Sequence, residues 1–186
     1  MPTNPATLYL IRHGQASAGF DQAYDPGLDA VGLAQAEAIA DELESLGPLP
    51  IVTSPLQRTR QTAAAFEKRW KVQVYVEPAV AEIPSPTPDL QARADWLRQA
   101  MRGRWSELAP QYQEWRNRVV AALLALKTTT VVTSHFIAIN VAVGAATQDD
   151  RVICFEPANC SCTRLEVGDG RLRLVELGRQ RETRIL

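Results

Sequence analysis

Histidine is scarce in this chain: His13 and His135 are the only two in 186 residues. That scarcity excludes metal sites built on several histidines, and it lets each imidazole be weighed by itself. Cysteine is little better represented. Cys154, Cys160 and Cys162 form no CxxC pair and have no neighbouring histidine to complete a zinc site. An odd number would leave a thiol unpaired in an oxidising compartment, so they read as reduced thiols in strands of a cytoplasmic protein. Long hydrophobic runs are lacking too: no stretch approaches the ~20 apolar residues of a membrane span. The first six residues do not have the basic-then-apolar pattern of a signal peptide. An excess of either charge is also missing. Twenty Lys and Arg stand against 21 Asp and Glu, a formal net charge of −1. Nothing in that balance favours nucleic acid or an anionic membrane as a partner.

What is present is the composition of an ordinary globular domain, 46% apolar and 22% charged. No linker, repeat or low-complexity tract interrupts it, so residues 1–186 read as one domain. Apolar runs at residues 7–11, 51–53, 72–76 and 130–133 predict buried strands. Between them, apolar positions recur at helical spacing. Asp29 is placed to cap a helix carrying Leu33, Ala36, Ala40 and Leu43. Ser54-Pro55-Leu56-Gln57 has the pattern of a helix start, with Ser54 as N-cap, Pro55 in the first turn and Gln57 completing a capping box. Further helices are expected near 90–101, 110–126 and 136–146, after a proline-rich loop at 77–88. Residues 161–167 and 171–177 alternate around Gly168-Asp169-Gly170, the pattern of a β-hairpin. The sum is a three-layer α/β fold: a mostly parallel central sheet, helices on both faces, and a C-terminal antiparallel hairpin.

In open parallel sheets, ligands bind beyond the carboxyl ends of the strands. The first strand runs into Arg12-His13-Gly14, the second into Ser54 and then Arg58, the fourth into Ser134-His135. Both histidines and two arginines thus converge on one rim, where forked guanidiniums suit a phosphate or carboxylate. The helix expected to begin at Ser54 would point its positive end at the same anion. Asp149-Asp150 has no spacing for a metal and reads as a turn, and Arg60 as a surface residue. Trp70 and Trp115 read as packing residues.

The block Leu8-Tyr9-Leu10-Ile11-Arg12-His13-Gly14 resembles the Arg-His-Gly signature of the histidine phosphatase superfamily, the phosphoglycerate mutase-like proteins. The resemblance continues through residues 28–36, through Ser54-Pro55-Leu56-Gln57-Arg58-Thr59-Arg60-Gln61-Thr62, and through Val131-Val132-Thr133-Ser134-His135 to about Asn159. It implies a nucleophilic His13 that carries the phosphoryl group, with Arg12, Arg58 and a preferably protonated His135 around the phosphate. No metal or other cofactor is implied, because the arginines stand where magnesium would. The proton donor implied is Glu82, with Glu77 and Asp21 as alternatives. Gln15, Ser17 and Phe136 are the further substrate contacts expected.

This chain departs from the family pattern in ways that bear on substrate. Phe136 replaces the glycine usual after the second histidine, and Gly19 stands where mutase-like members often have asparagine. The Gly-x-Trp-Glu-Gly segment of the mutases is absent after Glu82. A short cover favours hydrolysis over phosphoryl return. Over residues 82–105, Arg93, Arg98, Arg102 and Arg104 with Trp96 and Trp105 read as a solvated helix face opposite Leu90, Leu97 and Met101, or as a basic, aromatic wall for a second anionic group or a base. The expected partner is a small phosphorylated metabolite or a phosphoprotein. Three readings stay open: a phosphomonoesterase, a phosphatase for phosphohistidine on proteins, and a catalytically weak phosphate-binding module. Oligomeric state is not readable.

Overall fold

The structure, a computed structural model, describes residues 5–181. Strands and helices alternate in the order β1 (Ala6–Arg12), α1 (Ala30–Glu42), β2 (Ile51–Thr53), α2 (Gln57–Trp70), β3 (Val74–Val76), α3 (Leu90–Ala100), α4 (Pro110–Ala125), β4 (Thr130–Ser134), α5 (Phe136–Thr147), β5 (Cys162–Gly168) and β6 (Arg171–Glu176). The six strands form one sheet in the order β3-β2-β4-β1-β5-β6. β1, β2, β3 and β4 run parallel, while β5 pairs antiparallel to both β1 and β6. The mostly parallel sheet and the C-terminal hairpin are as the sequence pattern implies. Among the described residues no helix is long and apolar enough to cross a membrane.

Alternation along the strands builds the two cores. Leu8, Leu10, Val52 and Val132 face α4 and α5, while Ile11, Ile51 and Val131 face α1 and α2. Trp105 and Trp115, with ring centroids 5.8 Å apart, are buried in the first core. Trp70 packs on the second, beside Phe66. The hairpin closes through Asp169 (φ 53°) and Gly170 (φ 70°), the left-handed pair that a two-residue turn requires.

Three local expectations are corrected. Helix α2 starts at Gln57, and Ser54 does not cap it. Leu56 holds the cap position without a side-chain bond, and the Gln57 N–H donates instead to Asp25 Oδ1 at 2.8 Å. The Ser54 hydroxyl has stronger claims inside, 2.7 Å from both Thr59 Oγ1 and His135 Nε2. The third strand is shorter than expected because β2, its only neighbour among the described residues, offers three residues for pairing. Of the cysteines, only Cys162 lies in a strand; Cys154 and Cys160 occupy loops, and all three are free.

Asp29 caps α1 as expected, accepting from the Gly32 N–H at 2.7 Å. The helix start lies hard against the turn after β1. A Cβ on Gly14 would meet the Gly32 carbonyl oxygen at 2.4 Å, and one on Gly32 would meet the Gln15 carbonyl oxygen at 2.1 Å. Only glycine at both positions permits that approach, and the approach sets where the loop after His13 can go.

Candidate active site

The carboxyl ends of β1, β2 and β4 surround the floor of a cavity of about 720 Å³. His13 leaves β1 with its own N–H donating to the Ser134 carbonyl, and its carbonyl accepting from Asn159 Nδ2 at 3.0 Å. Its ring is held by Nδ1 against the Gly14 carbonyl oxygen at 2.7 Å. A carbonyl only accepts, so Nδ1 carries the proton and Nε2 keeps its lone pair. The neighbour of Nε2 is Arg58 Nε, which donates to it at 3.2 Å. His135 lies edge-on to His13, ring centroids 5.3 Å apart, and is fully buried. Its Nε2 meets Ser54 Oγ, while its Nδ1 has no partner among the described residues.

Arg12 is anchored by Nη1 on the Pro157 carbonyl at 2.8 Å, and its Nε is likewise unpartnered. Its guanidinium carbon lies 5.0 Å from the centre of the Phe136 ring. That ring therefore fills the space beside Arg12 that a glycine would leave empty. Glu82 follows the turn after β3 and lines the cavity, with Oε2 accepting from the Ile137 N–H at 3.3 Å. Helix α5 points its amino terminus here, since Phe136 and Ile137 both line the cavity, and α2 reaches it through Arg58 in its first turn. Gln15 lines it as well, though its Nε2 donates to Asp29 Oδ2 at 2.8 Å. Ser17 is off the wall: its backbone is paired to Gly27, so Ala16 and Ala18 turn inward and the serine is exposed. Glu77 caps the short turn at residues 78–80, and Asp21 lies by Arg98. Among the described residues, no three His, Cys, Asp or Glu side chains cluster to hold a metal ion.

A family model for the histidine phosphatase superfamily (branch 1) matches residues 8–180. This chain belongs to the histidine phosphatase superfamily. The 5''-phosphoribostamycin phosphatase of Niallia circulans is 40% identical over 79 residues, which is 38% of this chain and 37% of that protein. The GpmB protein of Yersinia enterocolitica, which bears a phosphoglycerate mutase name, is 29% identical over 117 residues, 61% of this chain and 49% of that one. These matches span less than half the length of the curated relatives. A solved mycobacterial glucosyl-3-phosphoglycerate phosphatase in complex with VO3 superposes with a TM-score of 0.71 at 25% identity, over 92% of this chain and 98% of that one.

Within this histidine phosphatase fold, burial dominates the electrostatics. Burial and the cations Arg58 and Arg12 push the His13 ring down to about 3. Burial, then His13, carries His135 well below the ordinary histidine value, so these surroundings favour the neutral ring, and the protonated form implied by the family resemblance needs an anion beside it. Burial likewise lowers Arg12 to about 9, with Arg181 adding to the effect. Glu82 moves the other way. Burial raises its carboxyl above the usual range against the pull of Arg58 and Arg12.

These shifts make stability depend on pH. In the unfolded chain a histidine protonates near about 6.5, whereas both folded rings refuse the proton at that pH. Below about 6.5 the unfolded state binds more protons, so stability falls as pH drops toward about 3. The His13 ring contributes up to about 1.4 kcal/mol per pH unit in that window, and His135 acts in the same direction. Glu82 offsets part of this, because its folded carboxyl takes its proton first. The expected result is a melting temperature that falls between pH 7 and pH 5, and falls less in His13→Asn. Calorimetry across that range checks it; a flat profile for the unaltered chain would mean that the rings charge freely.

Two contributors lay beyond sequence reasoning. Arg181 lines the cavity, brought there by the Pro157–Gln180 bridge and its own N–H on the Glu156 carbonyl. Asn159, noted only as a family position, orients the His13 backbone.

Proposed function

We propose that this chain is a cytoplasmic phosphomonoesterase, one domain over residues 1–186, that hydrolyses a small phosphorylated metabolite through phospho-His13 without a metal. The observation that carries this reading is the His13 ring: Nδ1 is fixed on the Gly14 carbonyl, so Nε2 faces the cavity floor unprotonated. In the reaction, His13 Nε2 attacks phosphorus as the bond to the leaving oxygen breaks. The Glu82 carboxyl delivers its proton to that oxygen. Water then attacks the phosphohistidine, giving a proton to Glu82, and the P–N bond breaks to release phosphate and neutral His13.

Charge on the equatorial oxygens is met by Arg12, through its unpartnered Nε, and by Arg58, which exchanges His13 Nε2 for a phosphate oxygen. His135 serves as a donor. With the Ser54 hydroxyl donating to Nε2, its proton sits on Nδ1, the buried nitrogen without a partner. The dianion itself then draws the ring toward its charged form. The amino terminus of α5, with the Phe136 and Ile137 amides, adds its positive end. Three free cysteines fit a reducing compartment. The phosphatase names of two of the relatives above agree with this reading.

The test is to incubate the chain with a radiolabelled aryl phosphate in EDTA and quench rapidly. A protein-bound phosphoryl group, stable to base and lost in acid, is expected. Turnover with no such adduct under single-turnover conditions would discard the covalent route.

A further inference from the structure

The catalytic floor uses Arg12 and Arg58, yet Arg93, Arg98, Arg102 and Arg181 also line the cavity, against only two carboxylates, Glu82 and Glu156. The phosphoryl dianion does not account for four further cations. Their setting differs among them. Arg93 is a latch: its Nη1 donates to the Phe20 carbonyl at 3.3 Å and its guanidinium lies 5.6 Å from the Tyr24 ring centre. Arg98 is partly neutralised, 2.7 Å from Asp95, and lies 5.8 Å from the Phe20 ring centre. Together they hold the loop after β1 over helix α3. The Arg102 side chain has neither an ion pair nor a hydrogen bond among the described residues, and it lies in the turn just past α3, lining the same wall as Arg98.

Between the cations the wall is apolar. Leu97 near the end of α3 and Met101 just after it line the wall, together with Ile153 and Phe20. A simple sugar phosphate would leave that surface without a match. An apolar body with a second negative charge at its far end satisfies both features.

Building on the phosphatase reading, we propose that the substrate is a phosphomonoester whose leaving group has an apolar or aromatic body and a second anionic group, carboxylate or phosphate, bound by Arg102 with Arg98 beside it. The apolar portion lies on Leu97, Met101 and Ile153. Arg93 acts as a positioning residue, holding the covering loop. The arrangement is one of discrimination: a neutral ester leaves Arg102 unmatched, whereas a dianionic end far from phosphorus meets it directly.

The experiment compares phenyl phosphate, 4-carboxyphenyl phosphate and 1,4-phenylene bisphosphate, with Arg102→Ala and Arg102→Glu alongside the unaltered chain. The readout is the ratio of kcat/KM for each anionic ester to that for phenyl phosphate within the same protein, so a poorly folded variant cancels out. A ratio of about ten or more is expected for the unaltered chain, since one charge-assisted contact is worth about 1.5 kcal/mol. It should fall to near one in Arg102→Ala and below one in Arg102→Glu. Preference for the carboxylate over the second phosphate, or the reverse, identifies which anion the wall takes. Ratios near one in the unaltered chain, or a preference that survives Arg102→Ala, overturn the proposal and leave the phosphatase reading standing. No turnover of any of the three overturns both.

Discussion

His13→Ala is expected to lower kcat/KM for an aryl phosphate by about 10⁴-fold or more, with most of the loss in kcat. The variant keeps Arg12, Arg58 and the amino terminus of α5, so the phosphate still has its binding groups, and KM should move far less. What disappears is the atom that forms the bond. No neighbouring group can replace it: the other imidazole, His135, has Nε2 engaged by the Ser54 hydroxyl and carries its proton on Nδ1, so it offers phosphorus no free lone pair. The pH profile gives an independent reading. Because the His13 ring is held down to about 3, its protonation removes activity only near that value, and no acid limb should appear at the ordinary histidine value near 6.5 on its account. A residual rate within tenfold of the unaltered chain would end the case for His13. Tight phosphate binding with no turnover in the unaltered chain would instead favour a binding module.

The residues at the strand ends were legible because apolar runs stop abruptly at Arg12-His13 and Ser134-His135, and a parallel sheet turns those stops into a common rim. The hairpin was legible for an equally local reason, since Asp169-Gly170 carries the left-handed turn. What escaped depends on contacts distant in sequence. The pattern at Ser54 satisfied every local rule for a helix start, yet its hydroxyl bonds His135, 81 residues away, and Asp25 caps the helix. The downward shift at His135 escaped because burial is a tertiary property. Arg93, Arg98 and Arg102 read more readily as a solvated face, for Leu97 and Ala94 pack inward in either case. Only the loop after β1, latched by Phe20 and Tyr24, turns that face into a cavity wall. Arg104 falls outside the wall, and Trp96 and Trp105 pack against Tyr112 and Trp115.

Glu82→Gln should slow hydrolysis by an amount that depends on the leaving group. An alkyl phosphate needs its departing oxygen protonated, so the loss there is expected to reach about 10²–10⁴-fold. p-Nitrophenolate leaves without help, and phosphorylation of His13 should hardly change. The second half-reaction still needs a base for water, and glutamine cannot serve, so the phosphoenzyme should accumulate and give a burst of nitrophenol followed by a slow phase. The amide keeps an oxygen for only one of the two N–H groups, Ile83 and Ile137, that the carboxyl accepts from, so the melting temperature of the variant is measured alongside its kinetics. The pH dependence has a definite sign. Burial raises the carboxyl above its usual range, so its acid form persists at higher pH than that of an exposed glutamate. Activity toward an alkyl ester should therefore decline as pH rises through that raised value, and the limb should vanish in Glu82→Gln. Neither alternative has this geometry. Glu77 caps a turn through the Ala79 N–H at 2.9 Å, and Asp21 is exposed beside Arg98. A loss in Glu82→Gln that is equal for both leaving groups, with no burst, would move the proton donor elsewhere; a leaving-group dependence appearing in Asp21→Asn would show where.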